Sequence, residues 1–390
     1  MSSPSVTPTA AQLDQAKQAI AAYIHSIDTN PDRREGAYPY YLFHEPGQPI
    51  LGTVLLFHGF SAKPHQMSRL ADYLFRNGFN VYQPSIAGHP LIRPAKNWPQ
   101  VDLKPEIAEP FKEKASQDPV LQAFMANLSS NPEGAQLSPI QQAALVSRLV
   151  KIEPRLLDIV KSIESSDDPD FDEYFISSHL DYLTNAKDRL AEIASIPGDV
   201  YTIGLSVGGA AALALAAADP DRVKKTVVYA PLLRVYGEQR RQYVNLTGPL
   251  DIKEMGWDPN LLFPVGCFTA ADRFGGSVVM SPASLESLKK VPIFMVLTEN
   301  EDAADIKTNQ AFYEETGAEQ DGNRYYLYRA LDLVPHPMVD PTEVSQNMSN
   351  RYWQSLYQET FRFLTTGDVD IPNMGNLEQD PELPQVPPVS

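Results

Sequence analysis

Apolar positions along this chain alternate between two spacings. Thr53–Phe57, Phe79–Gln83 and Val223–Tyr229 read as short strands, and Val291–Leu297 as a buried parallel strand. Tyr40–His44, the run from Val200 and Arg324–Tyr328 add three more β-like stretches. Between them apolar residues recur every three or four positions. Leu13, Ile20, Tyr23, Ile24 and Ile27 share one face of a helix over 11–28, and Met67, Leu70, Leu74 and Phe75 mark a second helix that Gly78 stops. Leu180, Leu183, Leu190 and Ile193 predict a helix near 178–195, Ile306–Gly317 another, and Ser349–Leu364 an aromatic-rich last one. Strand, helix and strand joined by tight turns are the sign of a mostly parallel, doubly wound α/β sheet.

The alternation breaks twice. From about 90 to 172 the chain is rich in proline and charge, yet Val120, Leu121, Phe124, Met125 and Leu128 fall on one helical face. Ser138-Pro139-Ile140-Gln141 has the form of a helix start. This predicts a helical cap insertion over the sheet edge or the pocket. Residues 231–290 read as a second, irregular cap segment in which Trp257, Leu261, Leu262 and Phe263 cover an apolar pocket. The expected organisation is an N-terminal amphipathic helix and linker (1–38), one α/β domain (39–366) carrying both insertions, and an acidic, proline-rich tail (367–390) that is disordered or draped on the surface.

Composition narrows the function classes. With 43% hydrophobic and 21% charged residues, and no apolar run of about 18, the chain reads as a soluble globular protein with no membrane span. The first thirty residues show no basic-then-apolar leader, so a cytoplasmic location is expected. A net charge of -17 disfavours nucleic acid and anionic membranes as partners. A lone cysteine, Cys267, excludes an internal disulfide or a multi-cysteine zinc site and is expected to be a small buried hydrophobe. No glycine-rich dinucleotide motif, Walker motif or HExxH occurs, so neither a cofactor nor a catalytic metal is expected.

The candidate chemistry begins at Gly204-Leu205-Ser206-Val207-Gly208, which follows a β-rich run and opens an alanine-rich helix. A serine hydroxyl is a poor nucleophile until a base takes its proton, so Ser206 must stand on a sharp turn within reach of a histidine. Gly204 and Gly208 leave room for that turn. Downstream, the acidic cluster Glu299, Glu301 and Asp302 follows one strand and His336 follows the next, in the order serine, acid, histidine. Asp305 lies close enough to compete as the acid. Of the other histidines, His58 and His89 fall on turns they are expected to organise, while His25, His44, His65 and His179 all precede the serine.

These stretches resemble the serine α/β-hydrolase superfamily, and more closely its carboxylesterase and monoacylglycerol-lipase branch. The resemblance rests on Val54-Leu55-Leu56-Phe57-His58-Gly59-Phe60, Ala87-Gly88-His89, Gly204–Gly209, Asp302 and His336. It spans roughly 50–90 and 178–365, about 60% of the chain. It implies an α/β-hydrolase fold and a triad of Ser206, Asp302 and His336, with Asp302 at the family's usual distance past its strand. It also implies an oxyanion hole from the backbone N–H groups of Phe60 and Val207. The activity implied is hydrolysis of a small-molecule carboxylic ester with an apolar acyl or alcohol part. Peptidase, thioesterase and acyltransferase chemistry use the same constellation, and a non-catalytic binding protein is the alternative from another class.

Overall fold

The computed structural model describes residues 5–123, 147–165, 168–248, 253–255 and 261–377. Along the chain the strands are β1 (Tyr40–Leu42), β2 (Thr53–Phe57), β3 (Asn80–Gln83), β4 (Val101–Leu103), β5 (Phe175–Ser177), β6 (Val200–Leu205), β7 (Val223–Tyr229), β8 (Lys253–Met255), β9 (Leu262–Pro264), β10 (Ile293–Thr298) and β11 (Arg324–Tyr328). Among the described residues, seven of them form one sheet in the order β1-β3-β2-β6-β7-β10-β11. All its neighbours run parallel except β1, which pairs antiparallel with β3 at the edge. The register sets Phe57 beside Gly204, Gly204 beside Val228, and Val296 beside Tyr229. The loops that follow β2, β6, β10 and β11 therefore open on one edge, where open α/β sheets present their sites.

Apolar runs such as that of Thr53–Phe57 are explained by burial on both faces. Successive residues of a strand point to opposite sides, and Val54 and Leu56 enter one core while Leu55 and Phe57 enter the other. On the Leu55 side lie the helices Ala10–Asp28, Asp181–Glu192 and Val207–Ala218; on the Val54 side lie Ser68–Arg76 and Trp353–Thr366. The N-terminal helix starts from a capping box at Thr9 and Gln12 and buries Leu13, Ala16, Ile20 and Ile27. At about 1.5–3 kcal/mol for each large apolar side chain buried, that face is enough to dock the helix on the core. In Val207–Ala218 the residues from Val207 to Ala216 are all buried, and their small side chains let the helix lie directly on the sheet.

Several sequence expectations change here. The helix expected near 178–195 begins at Asp181, so Leu180 precedes its apolar phase and is exposed, and Tyr182, Ala186 and Leu190 face the core. The 90–172 stretch holds strand as well as helix. β4 pairs antiparallel with β5, and with the helices Pro105–Gln117 and Leu156–Glu164 they enclose Val101, Ile107, Phe111, Ile159, Phe171 and Phe175. The described residues of 231–290 include the helices Glu238–Thr247, Val265–Arg273 and Pro282–Leu288 and the β8–β9 pair, where the sequence suggests irregular chain. Val265–Arg273 is buried nearly all round, so its sequence carries no amphipathic stripe to read. Cys267 on that helix is fully buried, and burial raises its thiol pKa. Phe124, Met125, Leu128, Ser138-Pro139-Ile140-Gln141, Trp257 and the tail from 378 lie outside the described residues. Among the described residues, no helix is long and apolar enough to cross a membrane.

Candidate active site

Ser206 sits between β6 and the helix Val207–Ala218 with φ 57° and ψ -122°, a left-handed conformation that residues with a side chain rarely adopt. Such strain costs about 1–3 kcal/mol and persists only where the surroundings hold it. Here the Ser206 N–H donates to the Tyr229 carbonyl at 3.0 Å, and the Ser206 carbonyl accepts from the N–H groups of Leu232 at 2.9 Å and Ala210 at 3.1 Å. The flanking glycines are required by close approach. A Cβ at position 204 would stand 2.1 Å from the Gly208 carbonyl oxygen, and one at position 208 would stand 2.3 Å from that of Phe57. The turn thus lets strand, serine and helix meet with no side chain between them.

Beside it runs the loop after β2. His58 is fully buried; its Nε2 lies 3.2 Å from the Ile86 N–H, which donates to it, so the ring proton resides on Nδ1 and is donated to the Gly59 carbonyl at 2.9 Å. Burial holds His58 far below the usual imidazole range, at about 3, so it remains neutral. The peptide between Gly59 and Phe60 is planar, so fixing the Gly59 oxygen also aims the Phe60 N–H. Gln66 secures the preceding peptide: its Oε1 accepts from the Gly59 N–H at 2.8 Å and its Nε2 donates to both oxygens of Glu343, at 3.1 and 3.0 Å. Neither Gln66 nor Glu343 stands in a recognisable motif, and they become visible only when the chain is folded. Among the described residues, the N–H groups of Phe60 and Val207 are not committed to a protein acceptor. Val207 is the first residue of its helix, where backbone N–H groups point outward and favour negative charge.

The histidine and the acid come from the loops after β11 and β10. Thr298 Oγ1 donates to the Val334 carbonyl at 2.6 Å, and Asn300 bridges Pro335, which draws the two loops together. His336 Nδ1 then lies 2.5 Å from Oε1 of Glu301, whose side chain is 2% exposed. The carboxylate oxygen thus stands in direct contact with the ring nitrogen. The carboxylate against His336 is therefore that of Glu301, not of Asp302. Glu301 Oε1 also accepts the N–H groups of Asp302, Ala303 and Ala304 at 3.2, 3.0 and 3.0 Å, which pins the longer side chain inward. Asp302 is exposed and accepts from Gln346 Nε2 at 2.7 Å. The other candidates are occupied locally: Glu299 accepts the Ala330 N–H at 2.8 Å, and Asp305 caps the helix Ile306–Glu315 through the Thr308 N–H. Burial alone would lower the His336 pKa, but the charge and contact of Glu301, reinforced by Asp302 and Glu343, raise it above the ordinary value.

Ser206, His336 and Phe60 line one cavity of about 330 Å³. Its walls include Leu205, Met255, Phe263 and Phe268, and its polar margin includes Asp302 and an Arg240–Glu254 pair bound through two contacts, at 3.1 and 2.6 Å. The Phe60 ring meets His89, Trp98, Phe263 and Phe268 edge to face at centroid distances of 4.9–5.5 Å. His89 stacks on Trp98 at 3.7 Å and bonds the Ala87 carbonyl through Nδ1, consistent with a role in ordering its turn. Gly88 makes that turn possible, since a Cβ there would stand 2.4 Å from the Asn97 carbonyl oxygen.

A parallel sheet with a strained serine on the turn into a helix, and an acid and a histidine on the following loops, defines the α/β-hydrolase fold. No family model matches the sequence, and comparison with curated protein sequences gives no match. Among solved structures the chain is similar to one described as that of LipS and LipT, two metagenome-derived lipolytic enzymes, at 15% identity and a TM-score of 0.49, over 85% of this chain and 98% of that one. It is also similar to a soluble variant of monoglyceride lipase from Saccharomyces cerevisiae, at 12% identity and a TM-score of 0.46, over 88% and 98% of the two chains. A third is monoacylglycerol lipase from Paleococcus ferrophilus, at 11% identity and a TM-score of 0.43, over 85% and 99%. At these identities the likeness concerns the chain trace alone.

Proposed function

We propose that this chain is a serine hydrolase of carboxylic esters. The observation that carries the proposal is the opening of a strained Ser206 and a Glu301-paired His336 onto the same apolar cavity. In the mechanism, His336 Nε2 takes the proton of the Ser206 hydroxyl as its oxygen attacks the acyl carbonyl. Glu301 holds the proton on Nδ1 and stabilises the imidazolium that forms. The oxyanion is received by the N–H groups of Phe60 and Val207, donors of a kind worth about 3–4 kcal/mol each in the transition state. The imidazolium then protonates the departing alcohol, and water repeats the sequence on the acyl-enzyme.

The cavity lies at the small end of the usual range for ligand sites, about 300–1,000 Å³, so the account favours esters with a compact apolar acyl or alcohol part. In the same proposal, the 90–172 and 231–290 segments act as caps, since Trp98, Leu261, Phe263 and Cys267 form the apolar cluster behind Phe60. Turnover of matched aryl esters, thioesters and aminoacyl amides tests the chemistry. Faster turnover of the ester series supports the proposal, and faster turnover of the thioesters or amides overturns it.

A further inference from the structure

The N-terminal stretch between the first helix and β1 reaches the candidate active site through one side chain. Its backbone is stitched to the turn after β3: the Ile92 N–H donates to the Asp32 carbonyl at 2.6 Å and the Arg34 N–H to the Pro90 carbonyl at 2.8 Å. From there the Arg34 side chain runs inward and is 3% exposed. Its Nη2 donates to the Ser61 carbonyl at 2.6 Å, and its Nη1 donates to the carbonyls of Ala62 at 3.0 Å and His89 at 3.4 Å. The guanidinium also lies over the Trp98 ring, 5.8 Å from its centroid.

The carbonyls it gathers are significant. Ser61 and Ala62 directly follow Phe60, the proposed oxyanion donor, and Ser61 is held at φ 56°, a conformation disfavoured for a residue with a side chain. His58 and Gln66 orient the peptides on the near side of Phe60, and the Ala62 N–H returns to the Gly59 carbonyl at 3.2 Å; the far side presents the carbonyls of Ser61 and Ala62. Arg34 occupies that far side and ties it to the turn bearing His89, whose ring, with that of Trp98, packs on Phe60. A planar guanidinium offers five donors in a fixed fork, so it can bridge several carbonyls in one geometry; an ammonium on a flexible stem cannot.

We infer that Arg34 is a positioning residue for the oxyanion loop, clamping the Ser61, Ala62 and His89 carbonyls so that the Phe60 N–H is held where charge develops. The inference rests on the proposed ester hydrolysis through Ser206. Arg34 touches no reacting atom; its effect is exerted through backbone placement. Removing it should cost turnover rather than substrate binding, because the donor acts on charge present only in the transition state.

The test uses the full chain, with Arg34→Met and Arg34→Lys compared with wild type and Ser206→Ala on p-nitrophenyl acetate. Each variant is checked for folding by circular dichroism. Arg34→Met is expected to lower kcat roughly 10–100-fold with KM within about threefold, and to weaken a trifluoromethyl ketone inhibitor by the same factor as kcat. Arg34→Lys, which keeps the charge but not the fork, should lose activity in the same direction, and the acid limb of the pH profile should stay in place. The inference is overturned if a folded variant keeps kcat within about twofold of wild type. It is also overturned if the loss falls on KM alone, or if the ketone binds unchanged. Should Arg34→Met not fold, Arg34→Lys is judged by the same criteria; if neither folds, Arg34 is a stability residue and the inference fails. Wild type that does not turn over the ester faster than Ser206→Ala would instead reject the proposed function.

Discussion

Glu301 Oε1 lies 2.5 Å from His336 Nδ1, while the adjoining Asp302 turns its carboxylate outward to Gln346. These neighbouring carboxylates have different environments: one is pinned by three backbone N–H groups beside the imidazole, the other is exposed. Replacing Glu301 by Ala is therefore expected to lower kcat by about 10³–10⁴-fold, the scale seen when a triad acid is lost. Asp302→Asn should change kcat by less than about fivefold, since its carboxylate is exposed to water and bonded to Gln346 rather than to the imidazole. Steady-state kinetics on one aryl ester separates the two. Equal losses would return the acid to Asp302.

The pH profile follows from the same pair. The base must be neutral to accept the serine proton, and Glu301, with Asp302 and Glu343, raises the His336 pKa despite burial. Activity should fall on acidification at a pH above the ordinary histidine midpoint of about 6.5. In Glu301→Gln the burial remains and the charge is gone, so the acid limb should move to lower pH. For stability the sign is that of a raised histidine: the contribution is fully present below about pH 6.5 and is lost as the pH rises through the folded-state value. A log kcat/KM profile for both proteins checks the first statement.

The elbow glycines are a packing requirement, and Gly208→Ala should show it. Its Cβ would meet the carbonyl oxygens of Phe57 at 2.3 Å and His58 at 2.4 Å, backbone atoms of β2 and of the loop that follows it. Overpacking of this kind costs about 1–3 kcal/mol and displaces whatever gives way. The expected result is a lower unfolding temperature together with a large loss of esterase activity. An active variant of wild-type stability would mean that the turn is looser than described.

Away from the site, Glu192 supplies a stability signature. Burial raises its carboxyl to about 7, although Arg189 lies 3.0 Å away and the Tyr82 hydroxyl donates to it at 2.5 Å. The folded state thus prefers the protonated acid. Its stabilising contribution is fully present below the unfolded value of about 4.5 and is lost as the pH rises through about 7. Thermal unfolding of Glu192→Gln against wild type from pH 4 to 8 should show a shallower decline across that window. Parallel curves would contradict it.

Much of this was legible in the chain because central parallel strands must be apolar on both faces and elbow turns must be glycine-flanked. Thr53–Phe57 could be bounded from sequence for the first reason, and Ser206 could be singled out for the second. What could not be read depends on contacts between distant residues. Glu301 and Asp302 are adjacent, and only the inward backbone of 302–304 separates their surroundings. Arg34 and Gln66 meet the loop after β2 through single side chains with no spacing to mark them. The helix Val265–Arg273 buries Thr269 and Asp272 along with Val265, Cys267, Ala270 and Ala271, so no polar face marks it in the sequence.

The central claim is that Ser206 is a nucleophile activated by His336. Treating wild type, Ser206→Ala and His336→Ala with a fluorophosphonate, followed by intact-mass measurement, tests it most directly. The account predicts one phosphonyl adduct on wild type located at Ser206, none on Ser206→Ala, and labelling slowed by about 10³-fold or more on His336→Ala. Wild type that remains unlabelled, or Ser206→Ala labelled at the wild-type rate, would contradict it.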